Sequence, residues 1–285
     1  MTSKTKLILL LFFVFCLPLL GAAAPGAIFE KPPSITIPDA VDIPRIYLPV
    51  ILKIDAAPPA DLIVFEAFLS PSCFYCQTAA PIIDNQLVPE YAGQNVLFLE
   101  HSALVSSPRL SRWWDGWAVG GTVGFPMVMT DSGHQVRERL TSGTDFYNLY
   151  KAMIESARAT PEINADIQAS ATRASDVVNF TINVTNLGSL TLGTANKATI
   201  WVLVYEESSS GPVADGLTQR YVRAQVSQAL SSNLAPGASA QYLLTVNSLS
   251  GVDWNRMHGV IILDYRPNPS LRPYNTYQAK AVDIP

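Results

Sequence analysis

Residues 62–91 read LIVFEAFLSPSCFYCQTAAPIIDNQLVPEY, and the fold of the first half turns on this stretch. Residues 62–69 are rich in β-branched and aromatic side chains, the composition of a buried strand, until Ser70-Pro71-Ser72 interrupts them. Past the interruption the period changes. Ala80, Ile83, Leu87 and Tyr91 recur at steps of three and four, the apolar stripe of a helix, with Pro89 breaking or kinking its last turn. Cys73 and Cys76 therefore stand where a strand hands over to a helix.

At such a junction the first sulfur is exposed, and the N–H groups and dipole of the helix N-terminus favour negative charge on it. Cys73 is accordingly assigned as the attacking nucleophile and Cys76 as the buried resolving thiol that opens a mixed disulfide. The third cysteine, Cys16, lies in a segment expected to be removed, so one C-x-x-C pair is the whole thiol inventory of the mature chain. A disulfide closing so short a loop constrains the unfolded chain little, which favours a redox role over a structural staple. No Lys or Arg occurs from Ile54 through Pro108, so no local cation supports the sulfur's charge. Zinc would need two further ligands from His101, His134 and His258, with no second C-x-x-C to supply them. Covalent haem requires histidine where Gln77 stands. No metal and no cofactor beyond the dithiol is expected.

Reading outward, residues 96–101 form a second strand and 109–119 a helix. Residues 127–131 and 135–140 make a hairpin around Ser132-Gly133, and Thr144 is placed to cap a helix with Phe146, Leu149, Tyr150, Met153 and Ala157 on its core face. The order is β-α-β-α-β-β-α. After Pro161 the helical period disappears. Seven candidate strands, near 163–172, 176–186, 198–207, 220–230, 239–247, 257–266 and 274–284, are separated by Gly, Pro, Asn and Ser clusters, the pattern of an immunoglobulin-like sandwich. Phe180, Ile182 and Val184 alternate with Asn179, Thr181, Asn183 and Thr185, one face buried and one solvated. Asn179-Phe180-Thr181 and Asn183-Val184-Thr185 match the glycosylation pattern but read as easily as surface polar residues of that strand. Trp113, Trp114 and Trp117 are read as core or contact aromatics before they are read as a groove wall.

Upstream, Lys4 and Lys6 precede an apolar run from Leu7 to Leu20 that ends in Gly21-Ala22-Ala23-Ala24, the order of a secretory signal. An uncleaved anchor stays an alternative. Residues 25–59 carry eight prolines and read as an extended tether. Charged residues are only 15% of the chain, and removal of the signal leaves 17 basic against 23 acidic residues, a net of −6. That balance excludes a nucleic-acid-binding surface.

The first half resembles the thioredoxin-like superfamily. Pro81 lies five residues after Cys76, where that family carries its helix-kinking proline, and residues 76–84 look like its first helix. Gly124-Phe125-Pro126 falls where the family has its cis-proline loop, followed by Asp131-Ser132-Gly133 at its hairpin. The resemblance covers residues 62–158. It implies an α/β thioredoxin-like fold, a catalytic set of Cys73, Cys76 and Pro126, and substrate contact at Phe74, Tyr75 and the backbone of Phe125. The family's buried acid stands six positions before the first cysteine, where this chain has Ala67, so the adjacent Glu66 becomes the candidate proton acceptor for Cys76. The Phe74-Tyr75 dipeptide is nearest to glutaredoxins, which also place Tyr before the second cysteine. Signal, thioredoxin-like domain and sandwich in this order also look like a family of bacterial outer-membrane proteins, on patterns such as Val222-Arg223-Ala224 and Ile261-Ile262-Leu263-Asp264.

The expectation is thus a signal over 1–24, a tether over 25–57, a thioredoxin-like domain over 58–159 and an all-β immunoglobulin-like sandwich over 160–285. The function expected is an extracytoplasmic thiol–disulfide oxidoreductase acting on protein thiols or disulfides, with an envelope redox partner. The alternative is a non-enzymatic surface protein whose sandwich binds a partner of undetermined kind and whose first domain is an inert scaffold.

Overall fold

The computed structural model describes residues 62–103, 107–116, 123–138, 143–159, 163–208, 219–268 and 274–285. The expected signal, the tether, Trp117 and the boundary at 160–162 lie outside the described residues, as do the side chains of Trp113 and Trp114. The protein is a mixed α/β molecule dominated by sheets, one mixed and eight-stranded, the other three-stranded.

In the first half β1 (Ile63–Leu69) leads into α1 (Phe74–Ile82), which continues as a π-turn, Ile83–Leu87, and a short α2 (Val88–Glu90). There follow β2 (Val96–Ser102), α3 (Pro108–Gly116), β3 (Met127–Thr130), β4 (Gln135–Arg137) and α4 (Phe146–Arg158). The wider turn after Pro81 is consistent with that residue's missing N–H, which leaves one rung of the helical ladder unmade. The cap of α4 differs from the sequence reading. Asp145, not Thr144, accepts the Asn148 N–H at 3.0 Å, because a carboxylate one residue later reaches the N3 position.

β1 is buried along its whole length, and its two faces do different work. Phe65, Ala67 and Leu69 pack with Cys76, Ala79 and Ile83 of the α1 segment and with Phe146, Tyr150 and Met153 of α4. Val64 faces the other way, against Leu99 and the second half of the chain, and Phe68 joins Met127 and Met129.

That second half comprises β5 (Ala165–Ala174), β6 (Val177–Asn186), β7 (Thr199–Ser208), β8 (Gln219–Ala229), β9 (Ser239–Val246), β10 (Met257–Tyr265) and β11 (Asn275–Asp283). The small sheet runs β5-β6-β9 and the large one β11-β10-β7-β8-β2-β1-β3-β4. Val178, Phe180, Ile182 and Val184 of β6 pack onto Ile200, Val202 and Val204 of β7 and Ile261 and Leu263 of β10, closing a two-layer core. The opposite side chains of β7 and β10, Trp201, Leu203, Val260 and Ile262, cover the back of β1 and β2 at Val64 and Leu99. β8 pairs antiparallel with β7 and meets β2 in parallel at Glu100 and Tyr221. The described residues accordingly all belong to one compact unit.

A buried ionic network pins this seam. The Arg109 guanidinium donates to both Glu66 oxygens (2.6–3.1 Å), to Asp264 Oδ2 at 2.7 Å and to Ser132 Oγ at 2.6 Å. Arg112 donates to Asp264 Oδ1 at 2.7 Å, and the Ser132 hydroxyl meets that of Thr276 at 2.8 Å. Arg109 is 1% exposed and Glu66 and Asp264 are fully buried, so each charge is matched by hydrogen bonds rather than by water.

Candidate active site

The end of β1 and the start of α1 place the two cysteines as free thiols at the helix N-terminus, Cys73 partly exposed and Cys76 buried. Cys73 is the N-cap: its φ of −89° and ψ of 115° are extended, and its sulfur accepts the Cys76 N–H at 3.2 Å. An N-cap acceptor relieves one of the orphan donors of the first turn, and here that acceptor is the sulfur assigned to attack. The Cys73 thiol in turn donates to the Phe125 carbonyl at 3.3 Å. The Phe125–Pro126 bond is cis, and Pro126 is buried. The structure therefore brings Cys73, Cys76, Phe125 and Pro126 to one place.

Phe74 and Tyr75 flank it differently. Phe74 is 71% exposed, with its ring edge-on to Tyr75 at 5.4 Å between centroids, whereas Tyr75 packs partly into the core. A large exposed apolar ring beside a partly exposed sulfur is a feature a binding partner would cover.

The two sulfurs sit in unlike surroundings. Burial first, then the hydrogen bond to Cys73 and its charge, push the Cys76 thiol up to about 12, with the Ser70 backbone opposing. Tyr150 lies in the same cluster; burial and the charges of Cys76 and Cys73 raise its phenol, and its hydroxyl has no hydrogen-bond partner.

Glu66 does not belong to this site, which corrects its reading as proton acceptor for Cys76. It is an even-numbered residue of β1, and the strand's alternation turns it away from Ala67 and the cysteines. Burial alone would raise its carboxyl, but the Arg109 guanidinium and the His101 hydrogen bond at 3.0 Å outweigh it and hold the group at about 2. A carboxylate so held accepts no proton near neutral pH. Arg109, its partner, shows in the sequence only as the start of a helix, since its partners lie 43 and 155 residues away and leave no local signal.

Among the described residues no group of three or more His, Cys, Asp and Glu side chains could hold a metal ion, and no helix is long and apolar enough to cross a membrane. No family model and no curated protein matches the sequence. Among solved structures, HBP35 of Porphyromonas gingivalis is similar, with a TM-score of 0.50 at 14% identity over 79% of this chain and 76% of that one. A penta-heme cytochrome c552 from Thermochromatium tepidum overlaps at a TM-score of 0.24 and 8% identity, over 41% of this chain and 39% of that one, a score that carries no argument. The likeness to HBP35 extends over more of the chain than either half could supply, and at that identity it speaks for the fold alone.

Proposed function

We propose that this protein is a thioredoxin-like thiol–disulfide oxidoreductase with an immunoglobulin-like sandwich behind it, acting on protein thiols or disulfides outside the cytoplasm. The observation that carries the reading is the asymmetry of the cysteine pair. A partly exposed Cys73 sulfur caps a helix, beside a buried Cys76 whose proton is held more tightly. The element order of the first half, the cis Phe125–Pro126 bond opposite the cysteines and the likeness to HBP35 support the fold assignment. The apolar run ending in Gly21-Ala22-Ala23-Ala24 supports export.

In the reducing direction the Cys73 thiolate attacks a substrate disulfide; one Cys73–substrate S–S bond forms as the substrate's own breaks, and the leaving thiolate takes a proton from solvent. Cys76, deprotonated, then attacks Cys73; the intramolecular disulfide forms, the mixed disulfide breaks and the second substrate thiolate departs. Two electrons have moved from the dithiol to the substrate, and an external dithiol restores the pair. An extended substrate chain pairs with the backbone at Phe125, with Phe74 covering its apolar side chains.

Cys76→Ser tests the division of labour. The first step survives and the second cannot occur, so substrates should remain disulfide-linked to Cys73 and appear as reducible adducts on non-reducing gels. Adducts that form equally through residue 76 in a Cys73→Ser protein would contradict the assignment.

A further inference from the structure

We infer that Glu138 is a positioning residue of the redox site: its carboxylate holds the main chain at Gly124, and so fixes the Phe125 carbonyl where the chain of a substrate protein pairs with it. The inference rests on the redox reading of Cys73 and Cys76 and adds to it a side chain from the end of the sheet's outermost strand, β4.

Pro126 creates the need. It has no N–H, and the strand that begins after it, β3, pairs with β1 from Met127 onward and with β4 from Val128 onward. The main chain before Pro126 therefore lies outside both ladders, and its N–H groups must find acceptors elsewhere. Gly124 finds one in a side chain: its N–H donates to Glu138 Oε2 at 3.1 Å. Register brings the carboxylate there. β3 and β4 run antiparallel with Val128 opposite Arg137, and one further step sets Glu138 opposite Met127, the residue after Pro126. Glu138 is half-buried, and an N–H bond to a carboxylate is charge-assisted, about twice as strong as a neutral one.

Two anchors then act on Phe125. Its side chain packs against the cluster of Phe68, Met127, Met129 and Val136, which fixes the ring. The residue before it is held through its N–H by Glu138, which fixes the course of the main chain. Gly124 has no Cβ and turns more freely than any other residue type, so the bond removes a freedom that the ring packing of Phe125 does not reach. Beyond these anchors the Phe125 carbonyl accepts from the Cys73 thiol at 3.3 Å. A substrate chain joined to Cys73 lies beside that carbonyl, and an added strand gains affinity from main-chain groups whose direction is set in advance.

The role assigned to Glu138 is geometric. No proton or electron passes through it, and its effect falls on the binding of a substrate that has a main chain rather than on the sulfur that attacks. A small disulfide with no peptide groups needs only the Cys73 sulfur and should not register the loss of the carboxylate.

The test compares two disulfides in single turnover with the reduced protein carrying Cys16→Ser: insulin, which presents a main chain, and dithiodipyridine, which is uncharged and has none. Oxidation of Cys73 and Cys76 is followed by acid quench, maleimide tagging and intact mass. Glu138→Ala should raise the half-saturating insulin concentration roughly 5–20-fold, with the limiting rate and the dithiodipyridine rate each within about 2-fold of the parent. Glu138→Gln should stay within about 3-fold of the parent toward insulin, because its amide oxygen still accepts the Gly124 N–H. That rescue separates a hydrogen bond from a charge. Should Glu138→Ala misfold, Glu138→Leu, which fills the space and accepts nothing, takes its place. Hydrogen exchange in the parent protein decides independently: the Gly124 amide should be protected well beyond that of an open chain. Insulin constants unaltered in a folded Glu138→Ala protein, a fall in both reactions together, Glu138→Gln as impaired as Glu138→Ala, or an unprotected Gly124 amide overturns the inference and leaves the redox reading standing. A parent protein that neither disulfide oxidises overturns the redox reading itself.

Discussion

Cys73→Ser should reduce turnover of protein disulfides to the uncatalysed background while leaving the fold intact. The attacking atom is lost, and neither Cys76, which is buried with a tightly held proton, nor any other thiol of the described chain can replace it. The fold should survive because Cys73 is partly exposed and its structural role is to accept the Cys76 N–H. A serine hydroxyl is an equally good helix cap, so the stability change should stay within about 0.5 kcal/mol. Insulin reduction followed by turbidity, with urea unfolding of the same sample, checks both halves. Residual turnover in a folded Cys73→Ser protein would move the chemistry elsewhere.

Arg109→Ala should cost about 3–5 kcal/mol of stability, because it leaves the fully buried carboxylates of Glu66 and Asp264 without their principal cation. The loss should be felt in both halves, since Glu66 lies in β1 and Asp264 in β10. Urea unfolding followed by tryptophan fluorescence and far-ultraviolet circular dichroism reads the shift. Arg109→Lys should recover only part of it, because an ammonium cannot present the forked geometry that engages both Glu66 oxygens and Asp264 at once. The pH sign is fixed by Glu66. Its carboxyl is held below its ordinary range in the folded protein, so its stabilisation is present above about pH 4.5 and is lost as pH falls toward 2. An Arg109→Ala protein that unfolds at the parental urea concentration would show that the network contributes no net stability.

This network also bears on separating the halves near residue 160. A fragment ending there would keep the cysteines but lose Asp264, Trp201 against the Arg109 guanidinium, and Arg220 beside Asp84. The second half therefore contributes to the surroundings of the first.

The strands and helices of both halves were legible because they depend on local periodicity. The β1–α1 junction was marked by Ser70-Pro71-Ser72, and β6 by strict alternation. What was not legible is what depends on register and on distant partners. Glu66 and Ala67 are neighbours in sequence, yet the pleat sends them to opposite faces, so proximity to Cys73 along the chain pointed to a carboxylate that faces away from the cysteines. His101 reaches the face of Glu66, which it bonds, only through the pairing of β2 with β1, which no spacing rule predicts. Residues 200–205, IWVLVY, and 260–263, VIIL, are unbroken apolar runs rather than alternating ones, and such runs mark strands buried on both faces. They are the parts of β7 and β10 caught between the sandwich core and the back of β1 and β2.

The central claim is that Cys73 and Cys76 interconvert as a redox couple, and equilibrium redox titration addresses it most directly. The Cys16→Ser protein would be held in graded glutathione and dithiothreitol buffers, quenched in acid, tagged with maleimide and weighed intact. The account predicts that both thiols change together in one two-electron step, with a midpoint between about −300 and −120 mV, the span of working dithiol couples. Two thiols that stay free in the most oxidising buffer, or a disulfide that resists reduction below about −300 mV as structural ones do, would contradict it.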